Sequence, residues 1–191
     1  MGTMYSPNDE WIELFNPGDV LLDLGGWTLR WNGHEVALKG HILARGYYVL
    51  ERTDDTTVDG IQANVVYTGS LRNAGEALGL FDAEGALVDS ANGDGGPWPA
   101  GDNAAKAAMV RLDPAAPDND ENWASATGET FVARDAGGRW IAGTPGAANV
   151  ARERGAPSTQ SGPSKRGAAL AKPWVWLALA GAITLWWLTR S

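Results

Sequence analysis

From Glu10 to about Leu112 the chain is a succession of short β-like runs separated by Gly, Pro, Asn and Asp. That punctuation leaves no convincing amphipathic helix in this region and directs it toward a β-sandwich. Glu10–Asn16 (EWIELFN) alternates, with Trp11, Glu13 and Phe15 on one face and Ile12 and Leu14 on the other. Asn16–Asp19 (NPGD) reads as a turn. Leu21–Arg30 reads as one strand kinked or bulged at Gly25–Gly26. Asn32–Gly33 is a hairpin signal, with Glu35–Leu38 as the returning strand. Tyr47–Glu51 is rich in β-formers, and Val65–Tyr67 follows. Ala77–Phe81 and Ala86–Asp89 flank the tight turn Asp82–Gly85 and are expected to pair, and Ala107–Leu112 is a further strand.

The chain's end is of another kind. Pro173–Thr189 (PWVWLALAGAITLWWLT) holds no charge and is closed by Lys172 and Arg190. Four of the ten Trp lie there, two near each end, where interfacial aromatics belong on a membrane-spanning helix. About 17 residues at roughly 1.5 Å each fall just short of a hydrocarbon core of roughly 30 Å. Snorkelling of the flanking Lys172 and Arg190 makes up the difference. Arg152–Lys165 carries Pro, Gly, Ser and charge without an apolar run, as a flexible linker does. The expected organisation is an all-β domain over 1–149, a linker over 150–171 and a transmembrane helix over 172–190.

Charge is divided along the same boundary. Six of the 15 Lys and Arg, but one of the 23 Asp and Glu, lie from Ala151 onward, which puts the tail at +5 and the preceding part at −13. A domain this acidic repels phosphate backbones, so nucleic acid is not an expected partner.

The motifs offer little chemistry. There is no Cys, which excludes disulfides, thiolate zinc sites and thiol catalysis. His34 and His41 match no metal-ligand spacing and read as strand or turn residues. Asp113–Glu121 (DPAAPDNDE) is dense in oxygen ligands of the kind Ca²⁺ takes, yet lacks EF-hand spacing and reads as a connection around Pro114 and Pro117. Asp89–Asp94 reads as a solvated loop. With no nucleophile elbow and no phosphate-binding loop, no catalytic, metal or cofactor-binding residue is assigned, and an enzyme is not expected.

Read in order, these pieces resemble a known family. WIELFNPG (Trp11–Gly18) and DLGGWTL (Asp23–Leu29) resemble the opening of the lamin tail domains of bacterial and archaeal proteins. Tyr47–Leu50, LRNAG (Leu71–Gly75), LVDS (Leu87–Ser90), GDGGPWP (Gly93–Pro99), Asn122–Trp123 and GTPGAAN (Gly143–Asn149) continue the likeness. The resemblance implies an immunoglobulin-like β-sandwich, with Trp11, Trp27 and Trp98 building its core or edges. Similar domains carry an extended strand before the dipeptide matched by Met4–Tyr5, where only Met1–Thr3 stand here. The first strand is therefore expected to be cut short, exposing a sheet edge, with the true start upstream.

The function expected is that of a non-catalytic, membrane-anchored binding or scaffolding module of a prokaryotic cell envelope. Its partners would be the membrane and a protein or cell-surface component, with no small-molecule substrate. The alternative is the accessory part of a larger secreted or surface hydrolase. MGTMYSPNDEW has no signal-peptide character, and the basic residues before the apolar run favour a cytoplasmic tail anchor. The usual export of similar domains favours an outward-facing domain, which is the expectation adopted.

Overall fold

The computed structural model describes residues 2–127 and 132–149, and the linker and transmembrane helix expected over 150–171 and 172–190 lie outside them. Eleven strands follow one another: β1 (Trp11–Phe15), β2 (Leu22–Asp23), β3 (Thr28–Trp31), β4 (His34–Ala37), β5 (His41–Ile42), β6 (Tyr47–Arg52), β7 (Val65–Tyr67), β8 (Leu78–Phe81), β9 (Leu87–Ala91), β10 (Met109–Arg111) and β11 (Trp123–Ser125). A 3-10 turn at Asp120–Asn122 precedes β11. The described part is all-β. It has one sheet of order β1-β6-β7, a second of order β4-β3-β8-β9, and two small pairs, β2-β5 and β10-β11. One core cluster draws Leu14 and Leu50 from the first sheet and Leu29, Leu78 and Leu80 from the second. The arrangement is consistent with an immunoglobulin-like sandwich.

The hairpins form where local chemistry specifies them. Asn32 (φ 40°) and Gly33 (φ 78°) take the left-handed conformation of a two-residue β-turn, and β3 pairs with β4 from Thr28–Ala37 to Trp31–His34. At Asp82–Gly85 the Asp82 carboxylate accepts from the backbone N–H groups of Glu84 (3.1 Å) and Ala86 (2.7 Å), and β8 pairs with β9 through a register shift at Leu80/Phe81.

One expected strand is two. Leu21–Arg30 does not run through a bulge, because β2 joins β5 and β3 joins the four-stranded sheet. The Asp23 side chain accepts from Gly25 N (2.9 Å), Trp27 N donates to Leu24 O (3.0 Å), and Gly26 sits at φ 82°. Together these close a turn that carries the chain from one sheet to the other, and Gly26 serves there because a side chain would strain that φ.

The expectation of an exposed edge at the first sheet also changes. All five residues of β1 are buried, although β6 is its only strand partner among the described residues. Gly143 and Gly146 cover the face of β1 that carries Trp11 and Glu13. Gly143 lies against the Trp11 ring, where an added Cβ would come 3.1 Å from Cζ2, and Gly146 N donates to Glu13 Oε2 at 2.6 Å.

Candidate functional site

Alternation places Glu13 and Glu51 in mid-strand, and the fold buries both completely. Each carboxylate ties down backbone from elsewhere. Glu51 Oε2 accepts from Thr57 N (2.8 Å) and Oε1 from Val58 N (3.2 Å), which holds the loop after β6. Burial outweighs these bonds and pushes the Glu51 carboxyl up to about 7, with Asp55 and Asp54 adding repulsion. Burial raises Glu13 well above the usual carboxyl range, against a single bond from Gly146 that lowers it. Glu10 accepts from Leu71 N at 3.0 Å and lies 3.5 Å from Arg52. Buried polar groups need such partners, and here the partners are loops of the protein itself.

Asp89–Asp94 is not a solvated loop but the end of β9 and the turn after it, and it meets the Asp113–Glu121 loop in a second network. Asp118 Oδ1 accepts from Trp123 Nε1 (2.8 Å) and Asn92 N (3.2 Å), and its Oδ2 from Ser90 Oγ (2.7 Å) and Gly93 N (2.9 Å). Arg111, buried, bonds both carboxylate oxygens of Asp89 (2.6 and 3.1 Å) and stacks 4.9 Å from the centre of the Trp123 ring. Desolvation raises the Asp89 carboxyl, and the Arg111 guanidinium opposes that shift. Asn122 donates to Asp113 O (2.8 Å), Ala116 O (3.3 Å) and Pro117 O (3.2 Å), and accepts from Asp113 N (2.8 Å). The residues that looked like oxygen ligands for Ca²⁺ thus include the acceptors that fasten the Asp113–Glu121 loop to β9 and β11. Among the described residues no three His, Cys, Asp or Glu converge as a metal set. His34 and His41 are exposed on strands of different sheets, and the His34 ring lies 5.4 Å from that of Trp31.

Trp11 and Trp27 are core residues, while Trp98 sits half-buried at the core's edge and donates to Arg72 O at 2.6 Å. Sequence reasoning missed Arg111, a charged residue inside an apolar strand, whose only warning was its place in AAMVRL. An open groove at one surface is lined by Asp9, Asp54, Asp55, Asp59 and Asp135 with no basic residue among its lining. Burial raises the Asp9 carboxyl, and Asp54 and Asp135 add repulsion.

The order WIELFNPG, sheet-crossing turn, hairpin and YYVLER strand is now placed in a β fold. Residues 2–93 match the Lamin Tail Domain family. No curated protein and no solved structure matches the chain. The lamin tail match stops at Gly93, whose N–H is bonded to Asp118, so the fold does not stop with it. Arg111, Asp118 and Gly146 tie the chain beyond Gly93 to the matched residues, through Asp89, through Ser90 and Asn92, and through Glu13. The likeness of GTPGAAN to the family falls beyond the matched residues, on the stretch that covers β1.

Proposed function

We propose that this protein is a non-catalytic binding module of a prokaryotic cell envelope, held to a membrane by residues 172–190 and facing outward. The observation that carries the non-catalytic reading is the use of its buried chemistry. Glu10, Glu13, Glu51, Asp89 and Asp118 each serve as acceptors for the protein's own donors. A general acid or base must reach a substrate proton, and these groups are committed to the protein's own donors instead. Such a rigid sandwich presents loops to a protein or surface partner. The anchor rests on the uncharged, Trp-bracketed run Pro173–Thr189.

The reading is tested with the full chain expressed from its native locus. It should remain in the membrane pellet after carbonate extraction, and protease added to intact cells should remove the folded part. The purified protein should turn over no ester, phosphate, glycoside or nucleic acid. Recovery in the soluble fraction without detergent would overturn the anchor, and protection until lysis would overturn the orientation. Reproducible turnover of any of these substrates by the purified full chain would overturn the non-catalytic reading.

A further inference from the structure

A pocket of about 350 Å³ opens beneath the Pro17–Leu22 loop, between β1, β2 and β5 on one side and β8 and β9 on the other. Its floor is apolar and buried, built from Leu14, Leu24, Trp27, Ile42 and Leu80. Its mouth carries exposed aliphatic side chains, Val20 at 68% and Leu21 at 52% exposure. The two polar side chains in its lining are already engaged. Asn16 Nδ2 donates to Val20 O (2.7 Å), Ile42 O (3.2 Å) and Leu43 O (3.1 Å), and Oδ1 accepts from Gly18 N (2.9 Å). Asp19 is paired with Arg45 at 2.7 Å.

These observations fix the chemistry of an occupant. Leu14, Leu24, Ile42 and Leu80 in the floor offer no partner to a polar ligand that surrenders its water there, whereas a hydrocarbon surrenders nothing. Phe15 and Trp27 are the two aromatic rings in the lining, and the remaining walls are mainly Leu, Val and Ile, which suit a flexible chain better than a stacked plane. An apolar cavity of roughly 150 Å³ holds one benzene ring, so this pocket has room for about a dozen carbons. We propose that it is a binding site for one alkyl chain, entering between Val20 and Leu21 and leaving its polar end in water. The proposal goes beyond the envelope-module reading and does not depend on it.

The test is a methyl NMR titration of the full chain, held in a fluorinated surfactant whose chains do not mix with hydrocarbon, against 1-hexanol, 1-octanol and 1-decanol. Leu14, Ile42 and Leu80 methyl signals should shift, and affinity should rise about fourfold per added methylene. Leu22→Trp, placed in the lining, should lower the 1-decanol affinity at least tenfold while methyl signals of Met109 and Val110 in β10 stay in place. Should that variant fail to fold, Val88→Phe from the β9 side serves the same purpose. Affinity independent of chain length, shifts spread outside the pocket, or unchanged binding by a folded blocked variant would overturn the proposal. So would indole binding more tightly than 1-octanol, which would point to a partner's aromatic side chain instead.

Discussion

Replacing Asp118 with Ala tests whether residues 94–149 and the lamin tail match form one cooperative unit. The side chain accepts four hydrogen bonds, two of them from donors in buried residues, Trp123 Nε1 and Asn92 N. Ser90 Oγ and Gly93 N can turn to water once the carboxylate is gone, but the two donors in buried residues cannot. At about 2 kcal/mol for each stranded donor the loss is about 4 kcal/mol. For a domain of this size that corresponds to a fall in Tm of roughly 10 °C. Asp118→Asn keeps one acceptor oxygen and should lose about half as much. The measurement is thermal unfolding of the full chain followed by far-ultraviolet circular dichroism and by Trp fluorescence, with hydrogen exchange at β8 and β9. One shared transition should move down, and exchange in β8–β9 should accelerate although the substitution lies 25 residues beyond the matched segment. A Tm lowered by less than about 3 °C, or faster exchange confined to residues beyond 93, would refute the reasoning.

Glu51 gives a pH prediction of definite sign. Its folded pKa is raised from 4.5 to about 7, so the folded state holds the proton more tightly than the unfolded chain. Stability present below about 4.5 should therefore decline as pH rises to about 7, by about 3 kcal/mol at most and less where solvent near Asp54 and Asp55 screens the group. Denaturant midpoints across that range should show the decline, and Glu51→Gln should flatten it; an equal slope in the variant would assign the dependence to other groups. Asn16→Ala removes two N–H donors shared among three carbonyls and one accepted bond, which hold the Pro17–Leu22 loop, and should cost about 2 kcal/mol with faster exchange at Gly18. Unchanged exchange there would show that the loop is held by other means. Leu29→Ala, at a fully buried position of β3, should cost about 3 kcal/mol in chemical unfolding, and a loss below about 1 kcal/mol would mean that the core collapses around the gap.

What the amino-acid sequence determines by itself is local. Asn32–Gly33 and Asp82–Gly85 specify their hairpins because backbone preference and a carboxylate a few residues away act within one turn. Tyr47–Glu51, within β6, and Val65–Tyr67 are legible as strands for the same reason, since β-branched and aromatic residues suit a pleated, half-buried surface. The two-residue strands β2 and β5 are too short to carry a pattern, and the change of sheet at Gly25–Gly26 looks in sequence like a bulge. Only the tertiary structure turns Glu13 into a buried acid, because the residue that covers and bonds it, Gly146, lies 133 positions away. Only it makes Asp118 a structural acceptor rather than a loop charge, since Ser90 and Gly93 arrive from β9 and the loop that follows it. Nearest-neighbour chemistry sets turns and strand propensity, whereas burial, and with it the meaning of each ionisable group, depends on which distant segment packs on top.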